Sequence, residues 1–263
     1  MKSITFVVSK GGVGKSLMTA NVGAALAEEG KSVVLVEGDP NRPLEKILNL
    51  NLTSKDLKLD DVVKKDLEIE KAIYSTKFDN LSLIPSGFSL QSYIEIDPVG
   101  FAKKLSDLTA DFMFIDVPFP LEKAAFLSLG ICKYFIIVLT EDEFVLCVES
   151  AIDTIRMGKY FLQCVPIGFV LNRVKTPERF NKEFIKDLEN LLEIPCITRI
   201  REDVKISKSY GMVNSHSAFL AYKKFRGSRF SEGIYAVASR LLGELPPPQK
   251  KDPVDLIRKV VRL

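Results

Sequence analysis

Hydrophobic runs of strand length alternate with helical patterns along nearly the whole chain. The runs consist mostly of Val, Ile, Leu and Phe, which is typical of strands covered by helices on both faces. This alternation predicts βα units and a mostly parallel, doubly wound α/β sheet of seven or eight strands. The predicted strands are Ile4–Val8, Ser32–Val36, Leu81–Ile84, Phe112–Ile115, Phe135–Leu139, Ile167–Leu171 and Cys196–Ile200.

Helical patterns fill the intervals between these runs. The predicted helices are Ser16–Glu29, Val99–Leu108, Leu121–Leu129, Phe144–Tyr160, Arg179–Leu192 and Ser231–Leu242. The stretch Asn51–Asp79 is the least regular, and we expect short helices over a sheet edge there. Leu245–Lys251 contains three consecutive prolines and two lysines, which indicates a linker. We therefore expect one domain over residues 1–244, a linker over 245–252 and a terminal helix over 253–263.

The terminal segment separates into two faces when it is drawn as a helix from Pro253 with Asp252 as N-cap. The apolar face contains Val254, Leu256, Ile257, Val260, Val261 and Leu263, and the polar face contains Asp255, Arg258, Lys259 and Arg262. Two destinations stay open for the apolar face, namely protein and a membrane surface. Such a short helix without Phe or Trp would bind lipid only weakly by itself.

Bulk composition narrows the class of protein. Of the 263 residues, 46% are hydrophobic, which suffices for a large core, and no run approaches the roughly 18 apolar residues of a membrane span. The N-terminal apolar run leads directly into a glycine-rich turn, so no signal peptide is expected. Cys132, Cys147, Cys164 and Cys196 lack metal-site spacing, which favours reduced thiols in a cytoplasmic protein. His216 is the single histidine, so histidine-based acid–base catalysis is nearly excluded.

The net charge of +3 conceals an asymmetry along the chain. Residues 1–198 contain 23 Lys and Arg against 28 Asp and Glu, whereas residues 199–263 contain 14 against 6. Positive charge is therefore concentrated in the last quarter of the chain, where we expect an acidic partner to bind.

The motif with the most specific chemistry is Lys10-Gly11-Gly12-Val13-Gly14-Lys15-Ser16, which lies between the first predicted strand and the first predicted helix. Glycines let backbone N–H groups approach a phosphate closely, and the N-terminus of the following helix adds positive potential. In such a turn Lys15 reaches the β- and γ-phosphates, and the Ser16 hydroxyl binds Mg²⁺. The motif predicts a site for ATP and Mg²⁺.

This turn departs from the ordinary phosphate-loop pattern, because Ser9 stands where the pattern has glycine and Lys10 is an additional lysine. In this respect it resembles the deviant Walker A ATPases that include the ParA partition proteins and the MinD division-site proteins. The resemblance implies a P-loop NTPase fold and an ATP-dependent homodimer. It also implies that Lys10 crosses the dimer interface and contacts the nucleotide of the other subunit, and that Lys10, Lys15 and Asp39 are the catalytic residues.

Two acidic residues follow predicted strands at places where relatives bind metal. Relatives usually have two aspartates separated by one residue after the second strand; Glu37 replaces the first here, and Asp39 matches the second. The resemblance implies that Asp39 orients the attacking water near Mg²⁺, while the role of Glu37 stays open. A turn-forming Asp before Pro40 is the simpler alternative.

The second acidic position is Asp116, which directly follows the apolar run Phe112–Ile115. It has the pattern of an Asp that holds a Mg²⁺-bound water, so Ser16, Asp39 and Asp116 are the predicted metal site. Relatives often have a glycine near the γ-phosphate where this chain has Pro120. Proline has no backbone N–H, so sensing of the γ-phosphate is expected to differ here.

Residues later in the chain are candidates for contact with the adenine base and with a DNA partner. By resemblance, Asn172 hydrogen-bonds the adenine edge, although an Asn that caps the loop is the alternative; Arg201 stands where relatives often have a proline that contacts the base. Partition ATPases bind DNA through basic residues in the region that follows. The candidates here are Lys205, Lys208, Lys223, Lys224, Arg226 and Arg229, interleaved with Tyr210, Tyr222 and Phe225. A solvated basic face without a partner is the alternative.

Together these features predict an ATP-hydrolysing homodimeric switch that positions or partitions DNA or another cargo and binds DNA nonspecifically when ATP is bound. An activating partner of the ParB kind, and slow turnover without it, follow from the same resemblance. The alternatives are a MinD-like regulator associated with the membrane through residues 253–263 and a nucleotide-binding interaction module with little turnover. A metabolic synthetase on the same scaffold would lack the Lys10 signature. The expected location is the cytoplasm, at the nucleoid or peripherally at a membrane.

Overall fold

The computed structural model describes residues 1–7, 11–87, 97–118, 122–211, 220–249 and 251–261. Eight strands of these residues form one sheet. They are β1 (Lys2–Val7), β2 (Val33–Glu37), β3 (Tyr74–Ser75), β4 (Leu81–Ile84), β5 (Phe112–Asp116), β6 (Tyr134–Thr140), β7 (Val165–Val174) and β8 (Cys196–Arg201). The spatial order is β3-β4-β2-β5-β1-β6-β7-β8, and β3 is the antiparallel strand at one edge. The predicted doubly wound, mostly parallel α/β fold is confirmed.

Helices cover both faces of this sheet. In chain order among the described residues they are α1 (Lys15–Glu28), α2 (Pro43–Leu48), α3 (Leu59–Lys64), α4 (Pro98–Ser106), α5 (Glu122–Ile131), α6 (Phe144–Arg156), α7 (Lys182–Leu192), α8 (Val204–Gly211), α9 (Ala221–Lys224), α10 (Arg229–Leu242) and α11 (Pro253–Val261). A 3₁₀ turn at Ile69–Ala72 and a π-helix at Met157–Phe161 complete the set. Among the described residues, none of the helices combines the length and apolar composition that a membrane span requires.

Alternation along each strand divides the core into two layers. In β2, for example, Val33 and Leu35 face the layer under α1 and α10, whereas Val34 and Val36 face the layer under α4 and α5. The carboxyl ends of the central strands align, because Glu37 is opposite Asp116 and Thr140 is opposite Asn172 in the strand pairing. This register places polar strand ends side by side at one edge.

Several elements differ from the sequence-based predictions, and helix α2 was not predicted at all. The helix predicted for Phe144–Tyr160 stays α-helical only to Arg156 and then widens into the π-helix. The helix predicted from Arg179 begins at Lys182, because the Asn181 side chain accepts a hydrogen bond from the Phe184 N–H and caps it. The segment 51–79 contains the expected short helices, and it also supplies the unpredicted strand β3.

The terminal helix α11 packs on the body of the protein against α4 and α5. Ile257 is fully buried, and its side chain lies so close to Gly130 that a Cβ there would be 2.5 Å from Ile257 Cδ1. The Lys251 ammonium, just before the helix, donates hydrogen bonds of 2.9 Å to the carbonyls of Leu129 and Leu162. Of the two destinations left open by the sequence, the structure shows protein, which leaves the centre of the apolar face unavailable to lipid while α11 is docked.

Candidate functional site

A cleft of about 500 Å³ opens at the carboxyl ends of the central strands, at the turn between β1 and α1. This is where ligands bind in open α/β sheets. Gly11, Gly12 and Gly14 line the cleft, while Val13 is buried and anchors the turn. Lys10, the predicted bridging residue, lies outside the described residues, as do Pro120 and His216.

Gly14 is the point at which the turn becomes a helix. Its φ of +96° is left-handed, and a Cβ at this position would lie 2.8 Å from Asn172 Nδ2. Backbone conformation and crowding therefore both require glycine here. The Gly14 carbonyl accepts the first helical hydrogen bond, from Met18 N–H at 2.9 Å, so the N-terminus of α1 faces the cleft with its positive end.

Lys15 lines the cleft together with Arg173 and Arg201, and its side chain is largely buried. Burial lowers the pKa of Lys15, and the nearby carboxylates of Asp116 and Asp39 oppose that shift. The ammonium group is therefore held close to two anions in a weakly solvated place, where its attraction to a phosphate is strong. The contact of Lys15 with the β- and γ-phosphates stays a prediction.

Asp116 ends β5 and is 2% exposed. Burial raises its pKa to about 7, although a hydrogen bond with the Ser16 side chain and the charge of Lys15 both lower it. Its Oδ2 atom has no hydrogen-bond partner among the described residues. A buried carboxylate oxygen without a partner, next to a Ser hydroxyl, is a donor set that fits a hard cation such as Mg²⁺.

Asp39 lines the cleft and also forms a local turn. It lines the cleft with Lys15 and Ser16, and its Oδ1 accepts hydrogen bonds from Asn41 N at 2.8 Å and Asn41 Nδ2 at 3.0 Å. The first of these bonds is the Asx turn that was the simpler alternative for this residue. The turn therefore holds the Asp39 side chain in the lining of the cleft, and its role toward Mg²⁺ and the attacking water stays a prediction.

Glu37 has a role that the sequence left open. Its carboxylate is fully buried, and Oε1 accepts hydrogen bonds from the backbone N–H groups of Leu44, at 2.5 Å, and Glu45, at 3.2 Å. It therefore caps the N-terminus of α2 from inside the protein. Burial raises the pKa of Glu37 well above its ordinary range, and the charge of Asp116 adds to this. The observed partners thus make Glu37 a structural cap behind the site.

Asn172 is buried at the end of the cleft, within β7. Its amide nitrogen donates a 2.7 Å hydrogen bond to the Val13 carbonyl, so it holds the phosphate turn in place. The loop-capping alternative for Asn172 is therefore closer to what the structure shows. The contact with adenine stays a prediction.

Arg173 was not among the predicted site residues, yet it binds the phosphate turn. Its Nη1 donates to the Gly12 carbonyl at 3.2 Å, and its Nε and Nη2 donate to Glu202 Oε1 at 3.1 and 3.0 Å. Asp142 is a further counter-charge, 3.9 Å from Nη2. The available signal was a polar pair, Asn172 and Arg173, inside a strand that is otherwise apolar.

The far wall of the cleft is formed by Ile206 and Phe230, which are apolar, and by Arg201, Glu202 and Asp203. An apolar surface with convergent polar groups is typical of a small-molecule site. Arg201, which replaces the proline of relatives, is exposed at this wall. It adds a cation to the lining of the cleft.

The basic residues proposed to bind DNA do not form one uniform surface. Lys205, Lys208, Lys224 and Arg226 are exposed, but Lys223 pairs with Glu28 at 2.6 Å and Arg229 pairs with Glu232 at 2.8 Å. Tyr222, expected among the interleaved aromatic residues, is fully buried, and its hydroxyl donates to Glu28. The prediction was wrong for Tyr222, because its ring is part of the core beneath α9 and α10.

Comparison with known proteins agrees with this geometry. Residues 4–212 match the model of the CobQ/CobB/MinD/ParA nucleotide-binding domain, named CbiA. The chain belongs to this family. It is 32% identical to an ATP-binding protein of Methanocaldococcus jannaschii over 99% of this chain and 95% of that protein. It is 26% identical to a virulence plasmid ParA family protein of Chlamydia psittaci, over 87% and 91% of the two chains.

A solved structure supports the same assignment. The septum site-determining protein MinD of Pyrococcus horikoshii, complexed with Mg-ADP, superposes with a TM-score of 0.74 at 25% identity, covering 91% of this chain and 95% of that one. The predicted resemblance to ParA and MinD proteins and the predicted P-loop NTPase fold are therefore confirmed.

We expect Arg173→Met to lower the affinity for ATP about tenfold without unfolding the protein, because the turn would lose one of the side chains that fix its carbonyls. Equilibrium dialysis with labelled ATP would measure the change. Lys175→Met is the matched control, since Lys175 also pairs with Asp142, at 2.7 Å, and its side chain makes no hydrogen bond to the described part of the turn. Equal losses in both variants would contradict a specific role for Arg173.

Proposed function

We propose that the chain is an ATP-binding and ATP-hydrolysing switch that forms a homodimer when ATP is bound and that positions or partitions DNA or another cargo. The observation that carries the proposal is that Lys15, Ser16 and Asp39 line one cleft beside a glycine-rich turn, and that the buried Asp116 shares a hydrogen bond with Ser16. The similarity to a MinD that was solved with Mg-ADP supports the choice of nucleotide and metal.

The chemistry of such a site consists mainly of positioning and charge stabilisation. The amides of the turn and the Lys15 ammonium bind the phosphates. Ser16 and Asp116, with Asp39 nearby, would hold Mg²⁺, which when bound neutralises charge on the phosphates. Asp39 lies at the mouth of the cleft, so it is the residue we assign to orienting the attacking water.

Dimerisation is the first test of this proposal. We expect ATP and Mg²⁺ to convert the wild-type monomer to a dimer in sedimentation velocity, and Lys10→Ala to bind ATP but stay monomeric. The reason is that the Lys10 ammonium would compensate phosphate charge across the interface. Lys133→Ala is the control, because Lys133 is an exposed lysine whose ammonium donates to the Met1 carbonyl at the other edge of the sheet. A wild-type protein that binds ATP and stays monomeric would contradict the dimer.

DNA binding is the second test. We expect ATP-bound protein to retard DNA of any sequence, and the complex to dissociate as salt rises from about 50 to about 200 mM, because counterion release drives such binding. The charge reversals Lys224→Glu and Arg226→Glu should abolish retardation, since both residues are exposed. Lys103→Glu on α4 is the matched control. Binding that ignores salt and nucleotide would contradict this assignment.

Two alternatives differ in what they require of the structure. A membrane-associated regulator would have to undock α11, whose Ile257 is buried against the body. An interaction module with little turnover would retain ATP binding and lack phosphate release. We favour the DNA-directed switch, because Lys205, Lys208, Lys224 and Arg226 are exposed while α11 is docked, so DNA binding does not require the undocking that membrane binding requires.

A further inference from the structure

We infer that a lysine-lined pocket at the amino ends of the central strands is a binding site for a small ligand that carries a phosphate or diphosphate group. The pocket has a volume of about 410 Å³, which is within the usual range of small-molecule sites. Lys2, Lys31 and Lys133 line it, together with Asp111. The inference does not depend on the proposed ATPase function, because none of these residues lines the nucleotide cleft.

The three central strands of the sheet bring this pocket together. Lys2, Phe112 and Tyr134, which all line it, are the first residues of β1, β5 and β6. The starts of these strands are adjacent, since Lys2 is opposite Phe112 and Ile4 is opposite Tyr134 in the strand pairing. β1 contains six residues, so the pocket and the phosphate turn at its other end are separated by about 20 Å. One small ligand cannot occupy both sites.

Backbone carbonyls hold two of the lysine side chains in place. Lys2 Nζ donates hydrogen bonds to the carbonyls of Leu241, at 2.7 Å, and Gly243, at 3.4 Å, at the end of α10. Lys133 Nζ donates to the Met1 carbonyl at 3.0 Å. An ammonium group has three N–H donors, so the bonds within the described residues saturate neither side chain. Positive charges that are already positioned reduce the entropic cost of binding an anion.

The charge of the pocket is only partly neutralised by the protein. No ion pair joins any of the three lysines to a carboxylate in the described part of the chain. Asp111 Oδ2 accepts hydrogen bonds from Ser32 N at 2.8 Å and Ser32 Oγ at 3.0 Å, and these bonds lower the pKa of Asp111, which stays ionised. Three lysines and one carboxylate give the lining a net charge of about +2, which a phosphate dianion would balance.

The lysines also repel one another. Burial lowers the pKa of Lys2, and the charges of Lys31 and Arg240 lower it further. Their effect on Lys2 means that several positive charges lie close enough to disfavour each other in the empty pocket. A bound anion would relieve this repulsion, so the unliganded pocket retains a positive potential that favours anions.

The walls indicate that the phosphate group itself is what the pocket recognises. Lysine ammonium groups suit phosphate because they act as compact point charges. Phe112 and Tyr134 are 3% and 5% exposed, and the Tyr134 hydroxyl already donates to the Pro246 carbonyl at 3.1 Å. Neither ring therefore offers a free face on which a nucleobase could stack. We expect a phosphate or diphosphate group to supply most of the affinity, whatever molecule carries it.

The test uses the full chain labelled with nitrogen-15 and inorganic pyrophosphate without magnesium. We expect the backbone amide signals of residues 31, 111 and 133 to shift in NMR spectra, with a dissociation constant of about 1 mM or below. Lys31→Gln and Lys133→Gln should each weaken this binding about fivefold, and the double variant about twentyfold, because each removes one positive charge. Lys2 is left unchanged, since it caps α10. Lys186→Gln is the matched control, because Lys186 is an exposed lysine on α7 that does not line the pocket.

The same spectra separate this pocket from the nucleotide cleft, because the amides of Gly12 and Gly14 report on the phosphate turn. Shifts at the pocket without shifts at the turn would support the inference even if the proposed ATPase function failed. ADP should bind the pocket no more tightly than pyrophosphate, and tighter binding of ADP would contradict recognition of the phosphate group alone.

Unchanged pocket signals at about 10 mM pyrophosphate would overturn the inference. Equal weakening of binding in Lys186→Gln would do the same, since it would indicate a general effect of net charge. A double variant that binds pyrophosphate like the wild type but no longer retards DNA would instead show that these lysines belong to a nucleic-acid surface.

Discussion

Lys15→Met is expected to lower the affinity for ATP at least a hundredfold, about 2.7 kcal/mol, while the protein remains folded. Lys15 lies in the cleft with its ammonium buried between the phosphate turn and the carboxylates of Asp116 and Asp39. Removal of that charge leaves the phosphates facing two anions without the cation between them, and in a weakly solvated place this repulsion is large. Isothermal titration calorimetry with ATP and Mg²⁺ would measure the loss.

The protein should remain folded with this substitution. Burial lowers the pKa of Lys15, which means that the charged ammonium group reduces the stability of the protein when no nucleotide is bound. We expect the melting temperature without nucleotide to be unchanged or higher, and the increase that ATP gives to the wild type to disappear. Lys133→Met, on the opposite edge of the sheet, should keep that increase. Retention of tight ATP binding by Lys15→Met would contradict the site.

The stability of the nucleotide-free wild type is expected to fall as pH rises from 5 to 7, by about 2 kcal/mol. The folded-state pKa of Asp116 is raised to about 7 by burial, above that of an unfolded Asp, so the folded protein binds the proton more tightly than the unfolded chain. Stability from this group is fully present below the unfolded pKa and is lost as pH rises through the folded pKa. Ionisation of Glu37 also lowers the stability as pH rises, because burial raises the pKa of this side chain as well.

Urea unfolding at pH 5, 6 and 7 would measure this dependence. Asp116→Asn removes the contribution of Asp116, so its stability should fall less steeply than that of the wild type over the same range, while the contribution of Glu37 remains. The exposed substitution Asp79→Asn should keep the wild-type slope. Addition of Mg²⁺ and ATP should stabilise the wild type most at pH 7, where the ionised carboxylate is available, and should stabilise Asp116→Asn little. A wild-type stability that rises over this range would contradict the assignment.

Most strands could be predicted because each is a contiguous apolar run whose two faces are both covered. The predicted runs stop at Val36, Ile115 and Leu139, whereas the strands continue by one residue to Glu37, Asp116 and Thr140. Hydrophobicity cannot detect these terminal positions, because all three residues are polar. β3 was not predicted, because a strand of two residues is too short to show a hydrophobic period.

The sequence by itself determined the phosphate turn, the carboxylate that follows β2 and the carboxylate that ends β5. Each of these depends on residues that are adjacent in the chain, so local pattern suffices to specify them. Only the tertiary structure decided that Glu37 caps α2, that Arg173 holds Gly12, that Tyr222 is buried, and that α11 packs on α4 and α5. These contacts join residues far apart in the chain or depend on which face of an element is covered. Their energies arise from burial and pairing that exist only after the chain has folded.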